Sequence, residues 1–121
     1  MTNPKVLEQV PINMAELKDY LKDIKKRDTE LSFRGQKTEE YLDELHVLKV
    51  KDAEEIHAKV KKMDIPRLKD EHIHKIIDVL PRNINELKVI MQGYALTVTS
   101  DNLAKIQAVV DEFLPKAAKT A

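Results

Sequence analysis

The sequence predicts an all-α protein, a helical bundle preceded by a short N-terminal β arm. Three observations predict it. Apolar residues recur at three-and-four spacing through most of the chain, only two glycines interrupt it, and Leu80-Pro81 joins two periodic segments at a tight corner. Only residues 5–12 read better as a strand.

In that arm, KVLEQVPI, the residues Val6, Val10 and Ile12 share one face of an extended chain. Pro11 lacks a donor, which argues against a central strand. The sequence offers no second strand, so this edge either pairs with another molecule or stays an irregular arm.

Asn13 followed by Glu16 has capping-box spacing, and Met14, Leu17, Leu21 and Ile24 form the stripe of a first helix over 14–26. Lys25, Lys26 and Arg27 close it, where positive charge suits the negative end of the helix dipole. A solvated helix end is the plainer reading of that cluster, a contact with RNA or a partner the alternative. A second helix spans 32–48 on Thr38, Tyr41, Leu42, Leu45 and Leu48. Gly35 weakens its start by about 1 kcal/mol relative to alanine. Tyr41 has leucines as its helical neighbours, so it is expected in the core rather than as a base-stacking platform.

Asp52 with Glu55 signals a third helix carrying Ala53, Ile56, Val60 and Met63 to about residue 64, before Pro66 breaks it. The fourth, 70–80, has the stripe Ile73, Ile76, Ile77 and Leu80. Pro81 stops it, because proline cannot donate the next backbone hydrogen bond and disfavours helical geometry in the residue before it. Asn83 and Glu86 then cap a fifth helix with Ile84, Leu87, Ile90 and Met91 inward, and Gly93 suits a left-handed C-terminal cap. Ile73, Ile76, Ile77, Leu80, Pro81 and Leu87 are therefore the expected core of this corner. Thr99 or Ser100 caps a sixth helix that buries Leu103, Ile106, Val109, Val110 and Phe113 and ends at Pro115, leaving 116–121 as a mobile tail.

Lysine plus arginine balance aspartate plus glutamate at 21 each, so no global field draws the chain to nucleic acid or membrane. Any nucleic-acid contact must be local. The candidate RNA-contact residues are Lys59, Lys61, Lys62, Arg67 and Lys69 around Pro66, diluted by Asp64 and Asp70 and without interleaved aromatics. The chain has no cysteine, which excludes thiolate chemistry and disulfides and fits a reducing, cytoplasmic setting. It contains no apolar run of about 18 residues and no basic start followed by an apolar block, so neither a membrane span nor a signal peptide is expected.

Catalytic signatures are missing as well. His72 and His74 are two apart, which on a helix turns them roughly 200° from each other, too far to share an ion. His46 and His57 fall on different helices, so the four histidines are expected at the surface or its boundary. Gly35 and Gly93 stand alone, Ser32 and Ser100 are better explained as caps, and the carboxylates alternate with lysine and arginine as on solvated ion-pair faces. The expectation is a non-catalytic protein with no cofactor and no metal.

The run IIDVLPRNINELKVIM, the helix after it over 99–113, and the segments ELSFRGQKTEEYLDEL and KDAEEI resemble the F-type stalk subunit of archaeal DNA-directed RNA polymerase, the counterpart of a eukaryotic stalk subunit. The similarity covers about residues 8–113. It lies in the order and lengths of the segments and the Leu-Pro corner rather than in any chemical signature. The resemblance implies a heterodimer with the E-type stalk subunit of RNA polymerase, attached to the polymerase core near the RNA exit path and supporting initiation, elongation and termination, with nascent RNA touched indirectly or weakly. It further implies that residues 1–46 dock on that E-type partner, with Val6, Val10, Ile12, Leu17 and Leu21 as contacts, and that 47–115 form an HRDC-type helical domain. The alternative is a free-standing HRDC-type nucleic-acid-binding domain.

Overall fold

Asn13 sets the first helix. In a computed structural model, which describes residues 5–45 and 47–120 and the side chains through residue 114, its Oδ1 accepts from the Glu16 N–H at 2.9 Å. That satisfies one of the donors every helix start leaves unpaired. Asn13→Ala is therefore expected to cost about 1 to 2 kcal/mol of stability, read by urea denaturation. An unchanged midpoint would mean that the start of this helix contributes nothing to folding.

The described residues form six helices and no strand: α1 (Met14–Asp28), α2 (Phe33–Leu45), α3 (Val50–Lys62), α4 (Asp70–Val79), α5 (Ile84–Gly93) and α6 (Ser100–Thr120). The all-α class is thus observed. Residues 5–12 are irregular and exposed, so the β arm is not a strand in this chain. The physical reason is plain: among the described residues no second strand exists to pair with it. Residues 1–4, His46 and Ala121, which belong to the segments and the histidine set considered above, lie outside the described residues.

Helix α1 packs on α2 and α3, α3 on α4 and α6, and α5 on α4 and α6. Two apolar clusters result. The larger gathers Ile56, Val60, Ile73, Ile76, Ile77, Leu87, Met91, Leu103, Ile106, Val109, Val110 and Phe113 from α3 to α6, joined by Ala15 of α1 and by Leu48. The smaller is Leu21, Leu31 and Leu42, with Met14, Leu17 and Val47 against it. The chain crosses from one cluster to the other between Val47 and Leu48.

Helix α4 ends where the proline rule places its end. Leu80 takes a left-handed conformation (φ 50°) and closes the last turn with its N–H on the Ile76 carbonyl at 2.8 Å. A left-handed leucine costs about 1 to 2 kcal/mol, offset by packing its side chain against the main core. Pro81 is buried behind it, and its carbonyl accepts from the Gln107 Nε2 at 2.8 Å. That bond ties α6 to the corner between α4 and α5.

Other boundaries move from the expected ones for local reasons. Ser32 precedes α2 as a cap, its Oγ accepting from the Gly35 N–H at 3.2 Å; a Cβ on Gly35 would come within 3.3 Å of both Leu31 Cβ and Ser32 Oγ. Glycine suits this tight turn. Helix α2 ends at Leu45, short of Leu48, and α3 starts at Val50, so Asp52 lies in its first turn instead of capping it. Gly93 is the last residue of α5, and Ala95 takes the positive φ expected of that glycine. Thr99 caps α6, with its Oγ1 3.3 Å from the Asn102 N–H. Pro115 does not end α6, which continues to Thr120. One missing hydrogen bond is a cost of about 3 kcal/mol rather than a prohibition, and a long, packed helix can bear it.

Candidate partner-docking surface

Pro11 restricts the arm just before Asn13 fixes the start of α1. The arm therefore leaves the bundle at a defined point. Its residues 8–11 line an open groove with Lys69, Asp70 and Glu71 at the start of α4. Its apolar side chains are not used for folding: Val6 is 70%, Leu7 88% and Val10 67% exposed, and Ile12 is exposed too. Of the expected partner contacts, these are accessible.

Of the remaining two, Leu21 is not accessible and Leu17 is only partly so. Leu21 is buried against Leu31 and Leu42 of this same chain, and Leu17 packs partly on that cluster. Each lies between α1 and α2, where amphipathic helices in a hairpin bury their facing stripes. A partner could reach Leu21 only by opening the hairpin.

Helix α2 presents a different stripe outward. Phe33, Tyr41 and Leu45 are exposed, spaced by four or eight residues, with the Lys37 ammonium 5.6 Å from the Phe33 ring centroid. Tyr20 and Ile24, four apart on α1, are exposed as well. Tyr41 and Leu45 are thus not core, because α2 packs mainly on α1 and turns only Leu42 into that contact. The sequence signal for this surface was a second four-residue stripe beside the first. Lys18–Asp43 at 3.1 Å and Lys25–Glu39 at 3.5 Å span the hairpin, worth no more than about 1 kcal/mol each at such exposure.

The residues of the core corner come together as expected. Ile73, Ile76, Ile77, Leu87 and Pro81 are buried, with Leu80 partly so. Ile84 is exposed instead of facing inward.

Of the five basic residues near Pro66, all exposed, two are paired with carboxylates of this chain. Lys59 pairs with Glu112 at 2.8 Å and lies 5.4 Å from the Phe113 ring centroid. Lys61 pairs with Asp70 at 3.2 Å, and its ammonium holds that carboxyl below the usual carboxylate range. Lys62, Arg67 and Lys69 remain exposed along the turn. Charge already committed to internal carboxylates contributes less to phosphate binding.

Two histidines overturn the surface expectation. His72 and His74 are buried, on different sides of α4 as their spacing requires. His72 Nδ1 accepts from the Lys69 N–H at 2.9 Å, and its ring meets Tyr94 edge-on. His74 turns to Asn13, the N-cap of α1, and stacks on His57 of α3. A buried imidazole nitrogen needs a hydrogen-bond partner, and Nδ1 of each ring finds a donor. Among the described residues no group of three or more His, Cys, Asp or Glu is arranged to hold a metal, and no helix is long and apolar enough to cross a membrane. No protein-family model matches the chain, and no curated protein matches it either.

Proposed function

We propose that this chain is a non-catalytic stalk subunit of an archaeal DNA-directed RNA polymerase, of the F type. It forms a heterodimer with the E-type stalk subunit near the RNA exit path, attaches through the stalk to the polymerase core, and supports initiation, elongation and termination. The observation that carries this reading is an apolar arm, Val6 to Ile12, left exposed ahead of a well-packed helical bundle. Residues with this composition are normally covered, and a sheet edge on the E-type partner is what an extended apolar segment can join. The β arm belongs to that bound form, and α3 to α6 are the part proposed to be HRDC-like. The resemblance in segment order to the F-type family supports the same reading.

A free-standing HRDC-type nucleic-acid-binding domain is the competing class. The pairing of Lys59 with Glu112 and of Lys61 with Asp70 weighs against it. Affinity purification of the chain from its native cells separates the two. Recovery of the E-type subunit and the polymerase core is expected. Recovery without polymerase subunits, with tight RNA binding by the isolated chain that weakens steeply with salt, would remove the proposal in favour of the alternative.

A further inference from the structure

Asn13 is 1% exposed and uses its whole amide. Oδ1 accepts from the Glu16 N–H at 2.9 Å, while Nδ2 reaches Glu16 Oε1 and His74 Nδ1, each at 3.1 Å. The first bond fixes which end of the amide is oxygen. Since an amide nitrogen only donates, His74 Nδ1 must accept, and the ring is neutral with its proton on Nε2. His74 is buried and stacks on His57, with centroids 4.9 Å apart and planes 22° from parallel. Next in the chain, the Met14 N–H donates to Asp78 Oδ1 at 2.7 Å. The first turn of α1 is therefore fastened to α4 at two adjacent residues.

We propose that Asn13, His74 and the stacked His57 form a proton-operated latch: neutral His74 holds the start of α1, and the arm continuous with it, on α4, and protonation of His74 releases it. The reason is donor count. An imidazolium carries N–H on both nitrogens, so Nδ1–H would face the Asn13 Nδ2–H2 with no acceptor between them. Turning the amide over would offer His74 the oxygen but leave the Glu16 N–H facing a donor, which abolishes the cap. One oxygen cannot serve both.

The groups that face His74 are Glu16 from α1, His57 from α3, and Asp70 and Asp78 from α4 itself. Burial is the strongest influence and lowers the ring's pKa below the usual imidazole range, with His57 acting the same way; the three carboxylates oppose them. Release returns His74 to water and to an ordinary affinity for protons, so the open form binds the proton more tightly. The latch is therefore firm above about pH 6.5 and weakens as the pH falls below it, by up to roughly tenfold per pH unit for one linked proton. Asp78 has the opposite sign. Its burial raises its pKa above the usual carboxylate range, so its proton uptake favours the closed form and opposes the release driven by His74.

The test is an NMR titration of the full chain between about pH 8 and about pH 5, following the His74 ring and the Met14, Glu16 and Leu17 amides. The amide signals are expected to move with the midpoint of His74. Their exchange protection, corrected for intrinsic rates, should fall by up to roughly tenfold per pH unit. His74→Gln, whose side-chain oxygen can take the Asn13 amide proton, should abolish the loss of protection with falling pH, leaving only the opposite-signed influence of Asp78 at Met14. Asn13→Ser, which keeps a cap oxygen but is too short to reach His74, should uncouple them from the His74 titration and serves as well if His74→Gln does not fold. Titration of His74 with the Met14 and Glu16 amides unmoved would overturn the latch, as would a wild-type pH profile in either variant.

Discussion

Ile77→Asp is expected to unfold the part of the chain built on α3 to α6. The side chain is 3% exposed in the main cluster, one turn before the Leu80-Pro81 corner that sets how α4 and α5 cross. Substitution removes the apolar contacts and places an unpaired carboxylate among isoleucines, leucines and valines. The loss should exceed about 4 kcal/mol, against a total of about 5 to 15 kcal/mol for an ordinary domain. Helical circular dichroism and the melting temperature should both drop. Pro81→Ala is the milder control, at about 1 kcal/mol, because alanine keeps the carbonyl that Gln107 bonds and adds only one N–H to be satisfied. An Ile77→Asp protein that melts like wild type would mean that this stripe is not buried in solution.

The corner was legible because its causes are local. A three-and-four stripe, a proline stop and an asparagine cap act within a few residues, so α4, α5 and α6 start and bury their stripes nearly as read. Contacts made over long sequence separations were not legible in that way. His74 finds its donor at Asn13, 61 residues away, and Lys59 finds Glu112, 53 residues away; spacing along one helix says nothing of either. Helix α2 shows a third limit. Periodicity gives it two neighbouring apolar stripes, and only its sparse packing, mainly on α1, decides that Leu42 is inside and that Tyr41 and Leu45 are outside. Pro115 marks no boundary, since a proline penalises a helix without forbidding it. For the docking surface, the arm's apolar character was readable, while the burial of Leu21 required knowing that α1 and α2 close on each other.

Val10→Asp or Ile12→Asp is expected to weaken binding to the proposed E-type stalk partner by more than about a hundredfold while leaving the helices intact. Val6, Val10 and Ile12 share the face that an added strand would bury, and burying such a side chain contributes roughly 1.5 to 3 kcal/mol. A carboxylate there forfeits that term and adds the cost of an unpaired charge in an apolar contact, so one substitution can exceed the roughly 2.8 kcal/mol that a hundredfold change represents. The helices bear none of this, because the clusters of buried residues contain no residue before Ala15. Circular dichroism and melting temperature should therefore stay near wild type, and Lys5→Ala, at an exposed position, should change binding little. Hydrogen exchange supplies the independent reading: amides 5–12 should be unprotected in the free chain and protected once the E-type partner is added, because only then do their backbone groups acquire strand partners. Equal, strong protection of these amides with and without that partner would show that the arm is already paired within its own fold, and the strand-addition reading would fail.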